Sequence, residues 1–270
     1  MGDFLHDDQR LVFVGGLHRS GTTLLARLIA DHPDATGLAG TGVPEDEGQH
    51  LQDVYPPAKE LGGSGRFAHH ARAHLTEDSP LVGRENAQRL WDSWRPFWDS
   101  DAPWLVEKSP PNLLMGRYLQ ALFPSASFLF IVRHPVTVTM ATRKWRRRTP
   151  LPRLLEHWFT AHTTARTDLP ALERVHVVSY EWLLADPEET LASVVQFLGL
   201  PGELDPSAIK PDTSTPYQRQ WHELLDAGKR GATRARERFG PLAQTFGYDL
   251  DDLDVIPRQP LLDATGTRLK

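Results

Sequence analysis

RLVFVGGLHRSGTTLLARLIA, residues 10–30, changes its hydrophobic period in the middle. Leu11 to Val14 is an unbroken apolar run that ends in Gly15-Gly16, which predicts a short buried strand. From Thr22 to Ala30 the apolar residues Leu24, Leu25, Leu28 and Ile29 recur at helical spacing. Between the two lies Gly16-Leu-His-Arg-Ser-Gly21-Thr22-Thr23, with the G-x4-G spacing of a phosphate loop. The backbone N–H groups of such a loop and the N-terminus of the following helix make a site for an anion. ATP and GTP hydrolases place a Lys directly after the second Gly; Thr22 stands there instead, and Arg19 lies two residues before that Gly.

The alternation continues along the chain. Trp104-Leu105-Val106 is a second apolar run, followed by Pro110-Pro111 and a helical stretch from Asn112 to Phe123. FLFIV at Phe128 to Val132 is the strongest strand signal, and Val136 to Trp145 follows as a helix after Pro135. Val175 to Val178 is a fourth strand. Asp186-Pro187-Glu188-Glu189 then gives an N-cap, a first-turn proline and a capping-box Glu ahead of Leu191, Val194, Val195 and Leu198, and Gly199 closes the helix. Strands alternating with helices predict an α/β, P-loop-like three-layer fold with a central, mainly parallel sheet of four or five strands and a ligand site at the strands' carboxyl ends. The FLFIV and VHVV runs lack the terminal Asp that would hold Mg²⁺, leaving Glu107 at the end of WLVE as the strand-end carboxylate. The span from about 41 to 103, rich in Gly, His, Pro and Trp, reads as a lid or acceptor insertion within one domain over 1–257; 258–270 reads as a loosely held tail.

The 270 residues are 40% hydrophobic and 24% charged, which suits a globular core. Thirty Lys and Arg against thirty-five Asp and Glu give a net charge of −5, so no global positive field invites nucleic acid. With no Cys there are no disulfides, thiolate metal sites or Cys nucleophiles. The acidic start MGDFLHDD resembles neither a signal peptide nor a membrane span, and no Ser or Thr stands where myristoylation needs one, so a cytoplasmic location is expected.

Strand, G-x-x-R-S-G-T-T-L and helix together resemble the 5′-phosphosulfate loop of sulfotransferases that use 3′-phosphoadenosine 5′-phosphosulfate (PAPS), nearest to the tyrosylprotein branch and to bacterial sulfotransferase-like proteins. Further matches follow in order: Glu107-Lys108-Ser109-Pro110, LFPSASFLFIVRHP, Val178-Ser179-Tyr180-Glu181-Trp182-Leu183, Ser214-Thr215, Lys229 and Phe246-Gly247-Tyr248-Asp249. The resemblance implies direct, metal-free in-line transfer of a sulfuryl group from PAPS to a hydroxyl or amine of a small metabolite, glycan or lipid, with neither nucleic acid nor a membrane span involved. A small-molecule kinase or NTP hydrolase, or a non-catalytic nucleotide-binding protein, is the alternative on such a fold.

By the same resemblance Arg19, Ser20, Gly21, Thr22 and Thr23 hold the 5′ end, and Arg133 grips the 3′-phosphate. Tyr180, Ser214 and Lys229 complete the donor site, and Lys108 stabilises or protonates the leaving oxygen. Eight residues after Arg133, where the family has a Ser for the 3′-phosphate, stands Ala141; Thr137, Thr139 and Thr142 are nearby hydroxyls. Arg143, Lys144, Arg146, Arg147 and Arg148 add charge near that phosphate or form a solvated helix face. The acceptor's proton needs a base, and Glu47, Glu45 and His50, in that order, are the candidates. His70 and His74 share a helical face but lack a third metal ligand, so a surface helix is expected. Trp91, Trp94, Phe97 and Trp98 read as a lid helix packed on the sheet or as the wall of an aromatic acceptor pocket.

Overall fold

The computed structural model of the chain describes residues 9–99 and 101–262. The described residues form a five-stranded parallel sheet in the order β2-β3-β1-β4-β5. The strands are β1 (Arg10–Gly16), β2 (Ala35–Gly37), β3 (Trp104–Lys108), β4 (Ser127–Val132) and β5 (Val175–Ser179). Residues of opposite parity point to opposite faces of a strand. Accordingly Leu11 and Phe13 of β1, with Phe128, Phe130 and Val132 of β4, enter one core, and Val12, Val14, Leu129 and Ile131 enter the other. Burial on both faces is why these strands read as continuous apolar runs.

The smaller core is closed by α1 (Thr22–Ala30), α6 (Tyr180–Ala185) and α7 (Pro187–Leu198) through Leu25, Leu28, Leu183, Leu191 and Val194. The larger takes Trp94, Tyr118, Val136, Trp158, Trp221 and Phe239 from α2 (Arg84–Trp94), α3 (Gly116–Leu122), α4 (Pro135–Arg143), α5 (Leu151–Asp168), α8 (Thr215–Asp226) and α9 (Arg230–Gln244). α7 starts as expected: the Asp186 side chain accepts the Glu189 N–H at 3.2 Å, and Gly199 ends the helix at φ 71°.

The structure departs from the sequence expectation in four places. β2 has only three residues and no apolar run, and it becomes a strand because β3 offers it a parallel edge. The helix expected over Asn112–Phe123 splits into a 3₁₀ turn, Pro110–Leu114, and α3, because Asn112 Nδ2 turns inward to the Val14 carbonyl and the Glu107 carboxylate at 3.2 and 2.6 Å. The histidine-rich stretch is not a helix but two 3₁₀ turns, Phe67–His69 and Ala71–Ala73, and His74 Nε2 instead lies 2.7 Å from buried Asp168. The expected tail is held in its first part: Arg258 lies 4.2 Å over the Trp182 ring and pairs with Glu189, and Leu261 is buried. Residues 263–270 and 1–8 lie outside the described part.

Gly48 and Gln49 are tied to Glu107 and Ser109 at the end of β3, and the aromatic residues of α2 and of the turn after it serve packing. Trp94 stands edge-on to Phe13 at 5.8 Å and donates Nε1–H to the Gly48 carbonyl, and Trp98 donates to the Val106 carbonyl. Among the described residues no helix is long and apolar enough to cross a membrane.

Candidate active site

The loop between β1 and α1 closes on itself. Both the N–H and the hydroxyl of Ser20 donate to the Leu17 carbonyl, at 3.0 and 2.6 Å, so Ser20 shapes the turn and does not offer these donors to a ligand. The donors left over are the N–H groups at the start of α1, whose first internal bond runs from Leu25 N–H to the Gly21 carbonyl. Gly21 has φ 103° and no side-chain cap. A Cβ at this position would also meet the Tyr180 ring at 2.5 Å, so only glycine lets the loop pass under Tyr180. Arg19 takes φ 73°, a strained value for a residue with a Cβ. Its guanidinium lies 4.8 Å from the Trp145 ring, and Trp145 is 62% exposed.

A second cationic group stands across the loop. Arg133 leaves the end of β4 buried, and its carbonyl is fixed by Trp158 Nε1–H at 3.0 Å. Its guanidinium lies 4.0 Å from the Tyr180 ring, with Nη1 donating to the Arg19 carbonyl at 3.1 Å and Nη2 to Ser214 Oγ at 2.8 Å. Among the described residues nothing bonds the buried Arg133 Nε. The Tyr180 hydroxyl hydrogen-bonds Thr213 Oγ1 at 2.7 Å, so the loop before α8 contributes two adjacent hydroxyls to this corner.

Behind Arg133, His134 uses both ring nitrogens. Nδ1 accepts the Val136 N–H and caps α4, and Nε2 faces the Asp249 carbonyl at 3.0 Å. Burial holds its pKa down at about 4, so it is neutral. Its backbone N–H donates to Glu181 Oε1 at 2.7 Å, while Glu181 Oε2 is buried without a partner. Burial pushes the Glu181 carboxyl up to about 7 from 4.5, against the opposing effects of the His134 N–H and Arg133. The folded chain therefore binds this proton more tightly than the unfolded chain does. The associated stability is intact below about pH 4.5 and is lost as the pH rises to about 7. Glu181→Gln removes that titration, so its stability relative to the unmodified chain should shift in its favour by about 2 kcal/mol between pH 5 and pH 8. Urea unfolding at the two pH values measures this, and a constant difference would contradict it.

The third group lies at the end of β3. Lys108 Nζ donates to Glu47 Oε1 at 3.1 Å and to the Glu45 carbonyl at 2.9 Å. Glu47 is buried, and burial raises its pKa despite the Lys108 ammonium and the Gln49 amide, which reaches Oε2 at 2.5 Å. His50 Nε2 is 3.7 Å from Glu47 Oε2, and its Nδ1 is buried without a partner. Glu45 offers only its carbonyl to Lys108; its side chain is exposed, so of the two candidate carboxylates Glu47 is the one beside the ammonium.

Glu107 is fully buried beneath this group, accepting from Gly48 N–H, Ser109 Oγ–H and Asn112 Nδ2–H at 3.0, 2.6 and 2.6 Å. Burial pushes it up to about 7. It anchors segment 41–50 to β3 and is enclosed by donors, unlike a carboxylate presented to a metal.

Loop, Arg133 corner and Lys108–Glu47 pair thus meet at the carboxyl ends of β1, β4 and β3. The arrangement offers two separate anion grips and an ammonium–carboxylate pair. Lys229 does not join them: it is exposed before α9, and among the described residues no hydrogen bond or ion pair ties its ammonium to Arg133 or the loop. Ala141 is buried in the core, and the hydroxyls of Thr137 and Thr139 are buried without partners. Of the basic run, Arg146 donates to the Gly62 and Ser64 carbonyls at 2.6 and 2.9 Å, and Lys144 lies 4.7 Å from the Tyr217 ring. Sequence reasoning missed Thr213, which bonds the Tyr180 hydroxyl, and Gln49, which bonds Glu47; neither carried a signal.

A family model described as the sulfotransferase family matches residues 12–206. The protein-tyrosine sulfotransferase of Drosophila melanogaster is 27% identical over 202 residues, 71% of this chain and 38% of that protein. Nodulation protein NoeE of Sinorhizobium fredii is 27% identical over 232 residues, 74% of this chain and 51% of that protein. The chain thus spans about half or less of the length of these two relatives. The solved sulfotransferase domain of the Synechococcus PCC 7002 olefin synthase aligns with a TM-score of 0.47 at 22% identity, over 81% of this chain and 85% of that one.

Proposed function

For a chain that belongs to the sulfotransferase family, we propose PAPS-dependent transfer of a sulfuryl group to a hydroxyl or amine of a small metabolite, glycan or lipid. The observation that carries this reading is the pairing of two anion grips, the α1 N-terminus and Arg133, with Lys108 and Glu47 beside the first. PAPS has an anionic group at each end of its ribose and ends in a sulfuryl group, so it matches two grips. Arg133 Nε, buried and unpartnered, fits the 3′-phosphate, because a phosphate oxygen would complete its bonding. Thr22 in place of a Lys and the enclosure of Glu107 weigh against a Mg²⁺-dependent NTP hydrolase.

In this reading the N–H groups of Gly21, Thr22 and Thr23 hold the 5′-phosphate, with the Arg19 guanidinium beside them. Arg133 and Ser214 hold the 3′-phosphate, and Tyr180 keeps Arg133 and the loop in register. PAPS supplies the sulfuryl group and adenosine 3′,5′-bisphosphate as the leaving group. The acceptor oxygen forms a bond to sulfur as the sulfur to bridging-oxygen bond breaks. The acceptor's proton passes to the Glu47 carboxylate, and the charge left on the 5′-phosphate is met by the Lys108 ammonium. Burial disfavours the charged form of Glu47, which strengthens it as a base relative to an exposed carboxylate.

The test is incubation with sulfur-labelled PAPS and a panel of hydroxyl and amine acceptors in EDTA. Label should move to an organic product with one bisphosphate released per product, and Glu47→Gln should slow transfer by about 10²–10⁴-fold. Transfer that requires added metal, or that survives Glu47→Gln undiminished, would contradict the assigned roles.

A further inference from the structure

Five of the six residues in RKWRRR, Arg143 to Arg148, are cationic, in a chain whose net charge is −5. They continue directly from α4, whose last turn is carried on by the Trp145 and Arg146 N–H groups donating to the Thr142 carbonyl. Arg146 is occupied by the Gly62 and Ser64 carbonyls, and Lys144 by the face of the Tyr217 ring. Arg143, Arg147 and Arg148 differ: among the described residues no carboxylate lies within ion-pair distance of them, whereas Arg89, Arg117, Arg236 and Arg258 each have one. Cations crowded together without counter-ions repel one another, which favours an anion from outside. The geometry offers it a place, because Arg143, Lys144 and Arg147, with Met140 of α4 and Gln220 of α8, line an open cavity of about 340 Å³. This cavity is separate from the Arg133 grip: at about 1.5 Å per residue, α4 carries Arg143 about 12 Å from Pro135, which follows that grip.

Trp145 stands in the middle of the basic run. Its ring meets the Arg19 guanidinium at 4.8 Å, yet it is the most exposed large apolar side chain among the described residues, ahead of Val255. Cations alone would suit any polyanion. An exposed indole among them favours a bilayer, since Trp concentrates at the boundary between headgroups and acyl chains while Lys and Arg are drawn to anionic headgroups. We propose that the turn after α4 docks this chain on the surface of an anionic bilayer, with Trp145 in the headgroup layer, an anionic headgroup in the α4–α8 cavity and Arg147 and Arg148 on neighbouring headgroups. The inference goes beyond the sulfuryl-transfer reading and does not depend on it. Because Trp145 also meets Arg19, the docked face adjoins the phosphate loop, so an acceptor hydroxyl borne on a lipid would reach the loop from there.

Vesicle flotation tests this with neither PAPS nor an acceptor present. The full chain should float with phosphatidylcholine vesicles that contain about a third phosphatidylserine, and not with phosphatidylcholine alone. Raising the salt from about 0.1 M to about 0.5 M should weaken binding about tenfold or more. The triple variant Arg143→Gln/Arg147→Gln/Arg148→Gln should bind about 10²-fold more weakly, at about fivefold for each cation removed, and Trp145→Ala about tenfold more weakly. The triple variant should keep its affinity for adenosine 3′,5′-bisphosphate within about twofold, because these cations lie outside the donor grips. Thermal melting identifies a triple variant that fails to fold, and the single variants of exposed Arg147 and Arg148 then decide, each at about a fivefold loss. Failure of the unmodified chain to float with the anionic vesicles, or floating that the substitutions leave unchanged, would overturn the proposal. So would an equal loss of bisphosphate affinity, which would assign the cations to the donor site. Binding of a heparin hexasaccharide without binding of vesicles would give the cavity to a soluble acidic glycan and overturn it likewise.

Discussion

Lys108→Ala should lower the transfer rate by about 10²–10³-fold, the loss that follows removal of one preorganised donor to developing negative charge. The affinity for adenosine 3′,5′-bisphosphate should fall far less, since the charge that Lys108 meets is largest in the transition state. Its position supports so large an effect: Nζ is held between Glu47 Oε1 and the Glu45 carbonyl, and Lys108 lines one cavity with Thr23 at the start of α1. Removing the ammonium also strips the largest opposing influence from Glu47, whose carboxyl is already pushed up by burial. A base must be ionised to work, so the acid limb of the pH–rate profile should move to higher pH in Lys108→Ala. Lys108→Arg keeps the charge and should leave that limb near its original position. Single-turnover rates across pH, with an acceptor from the panel, measure both. A rate within threefold of the unmodified enzyme and an unmoved acid limb would remove Lys108 from the mechanism.

Arg133→Ala should abolish the preference for a 3′-phosphate. The unmodified chain should bind adenosine 3′,5′-bisphosphate about 10²-fold or more tighter than adenosine 5′-phosphate, because charge-assisted hydrogen bonds to phosphate contribute roughly 1.5–3 kcal/mol each. In Arg133→Ala the two nucleotides should bind with affinities within a few-fold of each other. Comparing two ligands on one variant cancels general damage, which matters because Arg133 also ties the Arg19 carbonyl to Ser214. A variant that still prefers the bisphosphate by its original factor would place the 3′-phosphate grip elsewhere.

What the sequence disclosed and what it withheld follow from the range of the interactions involved. Strands β1, β3, β4 and β5 and helix α1 were legible because burial on both faces leaves continuous apolar runs, and because the switch from strand to helical period marks the loop. β2 was not legible: three residues are too few to show a pattern, and it becomes a strand by pairing with the edge of β3. The α3 region misled because Asn112 turns inward to the Val14 carbonyl, distant in sequence, and to the nearby Glu107 carboxylate, which breaks the helical run. Arg19, Arg133, Tyr180, Ser214 and Lys108 were candidates by resemblance of their motifs to a family, whereas Glu47 was one of three candidates in an acidic loop with no motif of its own. The ordering of Glu47 ahead of Glu45 has a structural basis that sequence could not supply, since it depends on which carboxylate turns inward beneath Lys108. Ser20 shows the opposite limit: its residue type suits a phosphate, but the turn consumes its donors. Lys229 matched by type and order alone, and the turn before α9 leaves it exposed.

In the proposed function the chain binds the product nucleotide of PAPS without a metal. Calorimetric titration of the purified protein with adenosine 3′,5′-bisphosphate in EDTA, beside ATP with Mg²⁺, tests it most directly. The bisphosphate should bind in the micromolar range or tighter, about −8 kcal/mol, unaffected by EDTA, with ATP and Mg²⁺ binding far more weakly. Binding of ATP with Mg²⁺ and none of the bisphosphate would contradict it and transfer the site to phosphoryl chemistry.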